Sequence, residues 1–595
     1  MDALRWIGKP IKMFEQRKIT FKSLFSLPAL TKTLTSIILF TCVIFPTGIS
    51  FSKSKNYSSS SAQFGSYLAG RHAQFNSDPN FAIHYYLSSL KTNPKNLELR
   101  KRTIALMVSE GRINEALVQA KFISKAGTEN IDFIMLLSAL KNAKNQNFLS
   151  AKNKINNLSN KGLNTFLLPM LQAWVLAGEK KYDEGLKILD RETNNDGLKT
   201  LFSVHGALIC ERAGRNKEAI KRYQLALKLR ESPNLRVTIL LGNLYERMGK
   251  YDKATELYNK FKSELPNTTL LDSAYKRIKA KRKPVPLHTS ARDGVAEALF
   301  SLASAIQTQN PFQTLIYGRL ASYVRPSLSI ANLLVAESLE ENNRLLDANK
   351  VYSRIIKDPY YSWIVRLRIA DNLDRVGETK KAIKALKVMA QENKQRVDAL
   401  TNMGNILQRH KRYEESSKSY EEAKKRILQF EKRHWSLHYS LGISYERQKK
   451  WASAEKNFLM ALELQPNQPS VLNYLGYSWV DQGVNLVRAE AMIRNAVKQR
   501  PRDGYIVDSL GWVLYRLGNL EGAVKALERA VQIRPEDPTI NDHLGDIYWA
   551  IGRKREATFQ WSRALILDPE EDQITKIKKK ISSGLPKVLD IKKAR

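Results

Sequence analysis

Few residues of this chain stand at spacings that do chemistry. His434 and His438 lie four apart in "FEKRHWSLHYS", the step that puts two metal ligands on one face of a helix. Both fall at the start of a helix and no third ligand clusters with them, so no metal is assigned. Cys42 and Cys210 have no neighbour at metal or redox spacing. No phosphate-cradling glycine loop, HExxH or GxSxG occurs. No catalytic residue or cofactor follows, and the chain is not expected to be an enzyme. The last quarter carries a different chemistry. Asn473 and Tyr477, then Tyr505, Asp508, Trp512 and Tyr515, then Asp542, Asp546 and Trp549 recur mostly at three- and four-residue steps. Such steps align side chains on one helical face. Rigid aromatics supply contact area at low entropic cost, and Asn or Asp can hold the backbone of a bound chain. That is the chemistry of recognition.

Those residues must be positioned by helices. In "DSLGWVLYRLGNLEGAVKALERAVQIRP", residues 508–535, two helical patterns flank a turn at Gly518-Asn519 and end at a proline. Leu-Gly pairs begin at Leu441, Leu475, Leu510 and Leu544, at steps of 34, 35 and 34. Each glycine (Gly442, Gly476, Gly511, Gly545) is followed by a first alanine (Ala454, Ala489, Ala523, Ala557), a second (Ala461, Ala496, Ala530, Ala564) and a proline (Pro466, Pro501, Pro535, Pro569). A glycine inside a helix costs about 1 kcal/mol relative to alanine. The cost is offset if helices approach closely there. We expect the glycine and first alanine to let the pair cross, the second alanine to let the next unit dock, and the proline to end the second helix. A period of 34 with two helices per unit is a solenoid signature, in which stacking builds the core.

At these positions the chain resembles the tetratricopeptide-repeat family. The signature is nearly complete in 435–468, through Leu441, Gly442, Tyr445, Ala454, Phe458, Ala461 and Pro466. It recurs in 235–268, with Phe261 in place of the second alanine. The resemblance implies an all-α fold, a right-handed superhelix of helix-turn-helix repeats in two arrays, with about fourteen units between 63 and 571. We divide the chain into a signal peptide or membrane anchor (1–50), a polar linker (51–62), a weaker N-terminal array (63–275), a basic linker (276–294), a C-terminal array (295–571) and a capping helix with a basic tail (572–595). The clear repeats are 435–468, 469–503, 504–537 and 538–571; those between 97 and 199 are faintest. In the family the aromatic-acidic stripe lines the concave groove where ligands lie. Trp512 and Trp549 are then expected partly exposed, and the stripe off the core. The alternative is that these aromatics pack between adjacent first helices. The asparagine-lysine clamp by which some chaperone adaptors of the family grip a carboxylate is not carried over. Asn243 and Asn405 fit it, but Ile239 and Thr401 stand where lysines are needed.

The formal net charge is +39, which suits an anionic partner, either membrane lipid or nucleic acid. A lysine- and asparagine-rich composition explains much of it, and nucleic acid is the less favoured partner. Residues 1–33 are basic, "LTSIILFTCVIF" (34–45) is uncharged, and Gly48-x-Ser50 follows. This pattern matches an export signal, either cleaved or kept as an anchor. In the tail, Ile574, Ile577 and Ile581 share a helical face, with lysines opposite. The expectation is a protein-binding scaffold or adaptor of the bacterial envelope. It would be periplasmic or anchored in the inner membrane through its N-terminus, and its partners would be protein segments, such as an envelope protease or assembly complex.

Overall fold

A computed structural model describes residues 59–124, 131–191, 196–229, 234–265 and 270–585. The expected signal or anchor and most of the polar linker lie outside them. Among the described residues the chain is helical throughout, with fourteen antiparallel pairs, the short unpaired helix Asp272–Lys279 and the final helix Glu571–Ser583.

Thirteen of the fourteen pairs turn by one device. A residue with positive φ stands between the two helices of a pair at Ser77, Gly111, Gln146, Lys180, Gly214 and Gly249, then at Asn343, Gly377, Lys411, Lys449, Gly483, Gly518 and Gly552. Within each series these positions are 34 or 35 apart, apart from the 38-residue step from Lys411 to Lys449. A left-handed residue after a helix lets its last carbonyls be met while the chain reverses. Glycine does this at least cost. In the faint repeats Gln146 and Lys180 do it, which hides the period from composition.

The helix-interior glycines make room for a large side chain. A Cβ on Gly442 would stand 2.6 Å from the Phe458 ring, one on Gly511 2.5 Å from Leu527, and one on Gly545 2.5 Å from Trp561. What each of these glycines makes room for is a large side chain of the second helix. That partner is sixteen residues on, and at Gly476, where Ile493 is the neighbour, the Ala489 carbonyl also stands at 3.3 Å. Ala454, Ala461, Ala489, Ala496, Ala523, Ala530, Ala557 and Ala564 are all fully buried.

Two compact units divide between Val365 and Arg366. The boundary expected at 276–294 lies inside the first unit, and the segment there is bonded to its neighbours. Arg277 donates to Glu246 at 2.9 Å, Asn243 to the Val285 carbonyl at 3.1 Å, and Arg325 to the Leu287 carbonyl at 2.8 Å. The following pair, Ala291–Ala305 and Pro311–Val324, packs onto first helices of earlier pairs. Ala291–Ala305 meets Asn164–Gly178, Asp132–Lys144 and Asp196–Arg212, and Pro311–Val324 meets Leu97–Ser109 and Asp132–Lys144. Gly294 sits so close to Trp174 that a Cβ would lie 2.0 Å from its ring. Buried polar groups lock the contact. Trp174 Nε1 donates to His205 Nδ1 at 2.9 Å, His205 Nε2 meets Ser301 Oγ at 3.2 Å, and Arg236 grips Glu297 with two bonds of 2.8 and 2.7 Å. Glu297 is buried. Burial alone would raise its pKa, but Arg236 and His288 hold it well below the usual carboxylate range.

The second unit holds the clear repeats, and Glu571–Ser583 packs on Lys554–Ile566 as an end cap. Ile577 is buried, with Ile581 packed beside it.

Candidate protein-binding groove

Three first helices carry the stripe, and capping sets where each begins. Pro469 and Pro538 stand in the first turns of Pro469–Gln482 and Pro538–Ala550, where a missing N–H costs nothing. Gln468, Asp503 and Asp537 accept from Ser470, Tyr505 and Thr539 backbone N–H groups at 3.2, 3.2 and 3.0 Å. The starts of Pro469–Gln482, Gly504–Arg516 and Pro538–Ala550 thus fix the rotation at which the stripe residues emerge.

The stripe divides in two. Asn473, Tyr477, Tyr505 and Asp508 line one cavity of about 350 Å³. It is completed by Arg447, Asp481, Ser509, Ile540, His543, Gln573 and Lys576, among others. Its floor is a stacked polar pair. His543 Nδ1 lies 2.9 Å from Asp508 Oδ1, and its ring stacks on Trp512 with centroids 4.4 Å apart, while Trp512 leans on Tyr515 at 5.3 Å. Burial alone would lower the His543 pKa, but the charge and hydrogen bond of Asp508 outweigh it, and the net shift is upward.

The remaining stripe residues face the chain's own C-terminus. Lys580 Nζ reaches Asp542 Oδ2 and Asp546 Oδ2, each at 2.8 Å, and Trp561 Nε1 donates to Asp546 Oδ1 at 2.9 Å. Burial, with Asp542 close by, pushes the Asp546 carboxyl up to about 6. Trp549 lies against Trp561, with centroids 5.4 Å apart, and against Gly584. Trp512 and Trp549 are half-buried, whereas Asp508 and Asp546 are buried, so the stripe is not a uniformly wet surface. Tyr477 and Tyr505 line a cavity at one end and Trp549 packs between elements at the other, while the burial of Asp508 and Asp546 corrects the expectation that the stripe lies off the core.

Sequence reasoning missed His543, Arg447, Lys576 and the inward turn of Lys580. It placed the tail lysines opposite the isoleucines. Lys580 stands three after Ile577, on the flank of the apolar face, and that offset was its one signal. The histidine pair does not converge. His434 Nδ1 accepts from the Glu431 backbone N–H at 2.9 Å, and His438 Nδ1 meets Asn457 Oδ1 at 3.0 Å. Among the described residues no group of three or more His, Cys, Asp or Glu could hold a metal. Asn243 and Asn405, the clamp-like asparagines, are bonded to Arg247 and Tyr420 at 2.9 and 2.7 Å.

Paired helices, left-handed turns at a period of 34 and glycine-on-aromatic packing define a class of repeat solenoid. Family models of the tetratricopeptide repeat match residues 238–265, 401–469 and 511–552. The chain carries tetratricopeptide repeats over these segments. Over 92 residues it is 33% identical to the TPR repeat-containing protein PA4667 of Pseudomonas aeruginosa, a match spanning 16% of each chain. Among solved structures it is similar to the APC/C hetero-tetramer Cut9-Hcn1, at 13% identity and a TM-score of 0.38, covering 88% of this chain and 96% of that one. It is also similar to YrrB, titled a TPR protein with an unusual peptide-binding site, at 20% identity and a TM-score of 0.26, covering 31% and 92%.

Proposed function

We propose that this chain is a non-catalytic scaffold or adaptor of the bacterial cell envelope that binds a protein segment in the groove of its C-terminal unit. The observation that carries the reading is the 350 Å³ cavity walled by Asn473, Tyr477, Tyr505 and Asp508 from successive repeats. Cavities of this size, with aromatic walls and a few polar groups, suit side chains of an inserted segment. The export pattern of residues 1–50 supports a periplasmic or membrane-anchored location, where an envelope protease or assembly complex would be the partner. A fusion of residues 1–60 to a reporter active only outside the cytoplasm tests the location, and an inactive reporter overturns it. Tyr477→Ala tests the groove. It is expected to abolish partner crosslinking at unchanged helicity, and undiminished crosslinking overturns the reading.

One observation favours a second reading. Lys276, Lys279, Lys281, Arg282 and Lys283 are exposed and make no ion pair among the described residues. They suit an anionic surface such as membrane lipid. Binding to vesicles with an anionic headgroup that falls steeply with salt would support it.

A further inference from the structure

On one wall of the C-terminal cavity two acceptors are left unmatched, and their chemistry points to a ligand. Arg447 stands 3.3 Å from Glu446, and His543 is held by Asp508 at 2.9 Å. Arg534, next to the cavity, lies over the Tyr505 ring at 4.3 Å from its centroid. Lys580 is spent on Asp542 and Asp546. The acceptors of the Pro469–Gln482 helix are not matched in this way. The Asn473 side-chain oxygen is buried and has no hydrogen-bond partner among the described residues. Asp481 is exposed at the cavity wall, and its carboxylate makes no ion pair among the described residues. Arg516, the cation beside it, donates to the Asp481 backbone carbonyl at 3.5 Å. Asn473, Tyr477 and Asp481 are four apart and form one line down the wall.

We infer that this line seats a cationic side chain, an arginine or lysine of the bound protein segment. Its charged head would take the Asp481 carboxylate and its stem would lie along the Tyr477 ring, while a backbone N–H of the same segment, about 12 Å along the helix, would take the Asn473 oxygen. An unpaired buried acceptor costs free energy until a donor arrives, and a cation over an aromatic face adds to the attraction. The inference rests on the groove reading proposed above.

The test uses the full chain and a random dodecapeptide phage library, with enriched peptides resynthesised and measured by fluorescence anisotropy. Enriched peptides are expected to carry an arginine or lysine at a recurrent position. Replacing that residue by citrulline, or by glutamine where it is lysine, should weaken binding roughly tenfold, the scale of one charge-assisted hydrogen bond. Asp481→Lys should do the same, and because Asp481 is exposed the variant keeps its helicity. Peptides that lose binding to Tyr477→Ala but ignore both changes overturn the cation seat and leave the groove standing. Peptides that ignore Tyr477→Ala, or a library that yields none sensitive to it, overturn the groove reading and the inference together.

Discussion

In the N-terminal unit, the faces of the first helices at Leu97–Ser109, Asp132–Lys144 and Asn164–Gly178 are covered by a later pair of the same chain. In the C-terminal unit, the faces at Pro469–Gln482 and Gly504–Arg516 keep a cavity to whose lining the tail adds Gln573 and Lys576, and the tail's Lys580 is bound at the last repeat. The same repeat has therefore been used as a core in one region and as a surface in the other. What differs is the chemistry of the inner face. The covered face holds Trp174 with a histidine bonded to it, and Gly294 opposite leaves room for its ring. The open face alternates tyrosine with Asn and Asp, which burial without partners would penalise.

The sharpest way to break the comparison is Glu297→Ala. It strips a buried ion pair from Arg236 and His288, and such losses cost about 3–5 kcal/mol. Hydrogen exchange should show the Asn164–Gly178 and Ala291–Ala305 helices losing protection. Unchanged protection would mean that the covering pair is held by other contacts.

Ala523→Leu comes next. Ala523 is fully buried in the clear repeats, and overpacking there should cost about 1–3 kcal/mol in thermal or urea unfolding. Lys580→Ala should be of similar or smaller size, about 1–3 kcal/mol, because it leaves Asp542 and Asp546 facing each other. Adding Asp546→Asn should recover part of the loss. Absence of recovery would show that Lys580 acts by packing alone.

The smallest effect concerns pH. The folded pKa of His543 is raised, so its pair with Asp508 stabilises fully below the ordinary histidine value of about 6.5 and loses that contribution as pH rises through the folded value. The raised carboxyl of Asp546 acts in the same sense at lower pH, its contribution fading toward about 6. His543→Gln should therefore lower the melting temperature more at pH 6 than at pH 9. An equal drop at both would place the role of His543 in its stacking on Trp512.

By itself the sequence determined the all-α class, the period and the small residues of the last four repeats. Those follow from local rules: a proline ends a helix wherever it falls, and a glycine every 34 or so residues implies a recurrent close approach. The faint repeats between 97 and 199 were barely legible because Gln146 and Lys180 adopt the turn conformation that glycine elsewhere announces. The stripe was legible too, since a helical wheel needs only spacing. Its environment was decided by the tertiary structure. Which stripe residues meet water depends on what the chain lays over them: Lys580 comes from 34 residues beyond Asp546, and Ser301 meets His205 across 96. Burial and charge pairing are sums over such distant neighbours, and no local pattern encodes that sum.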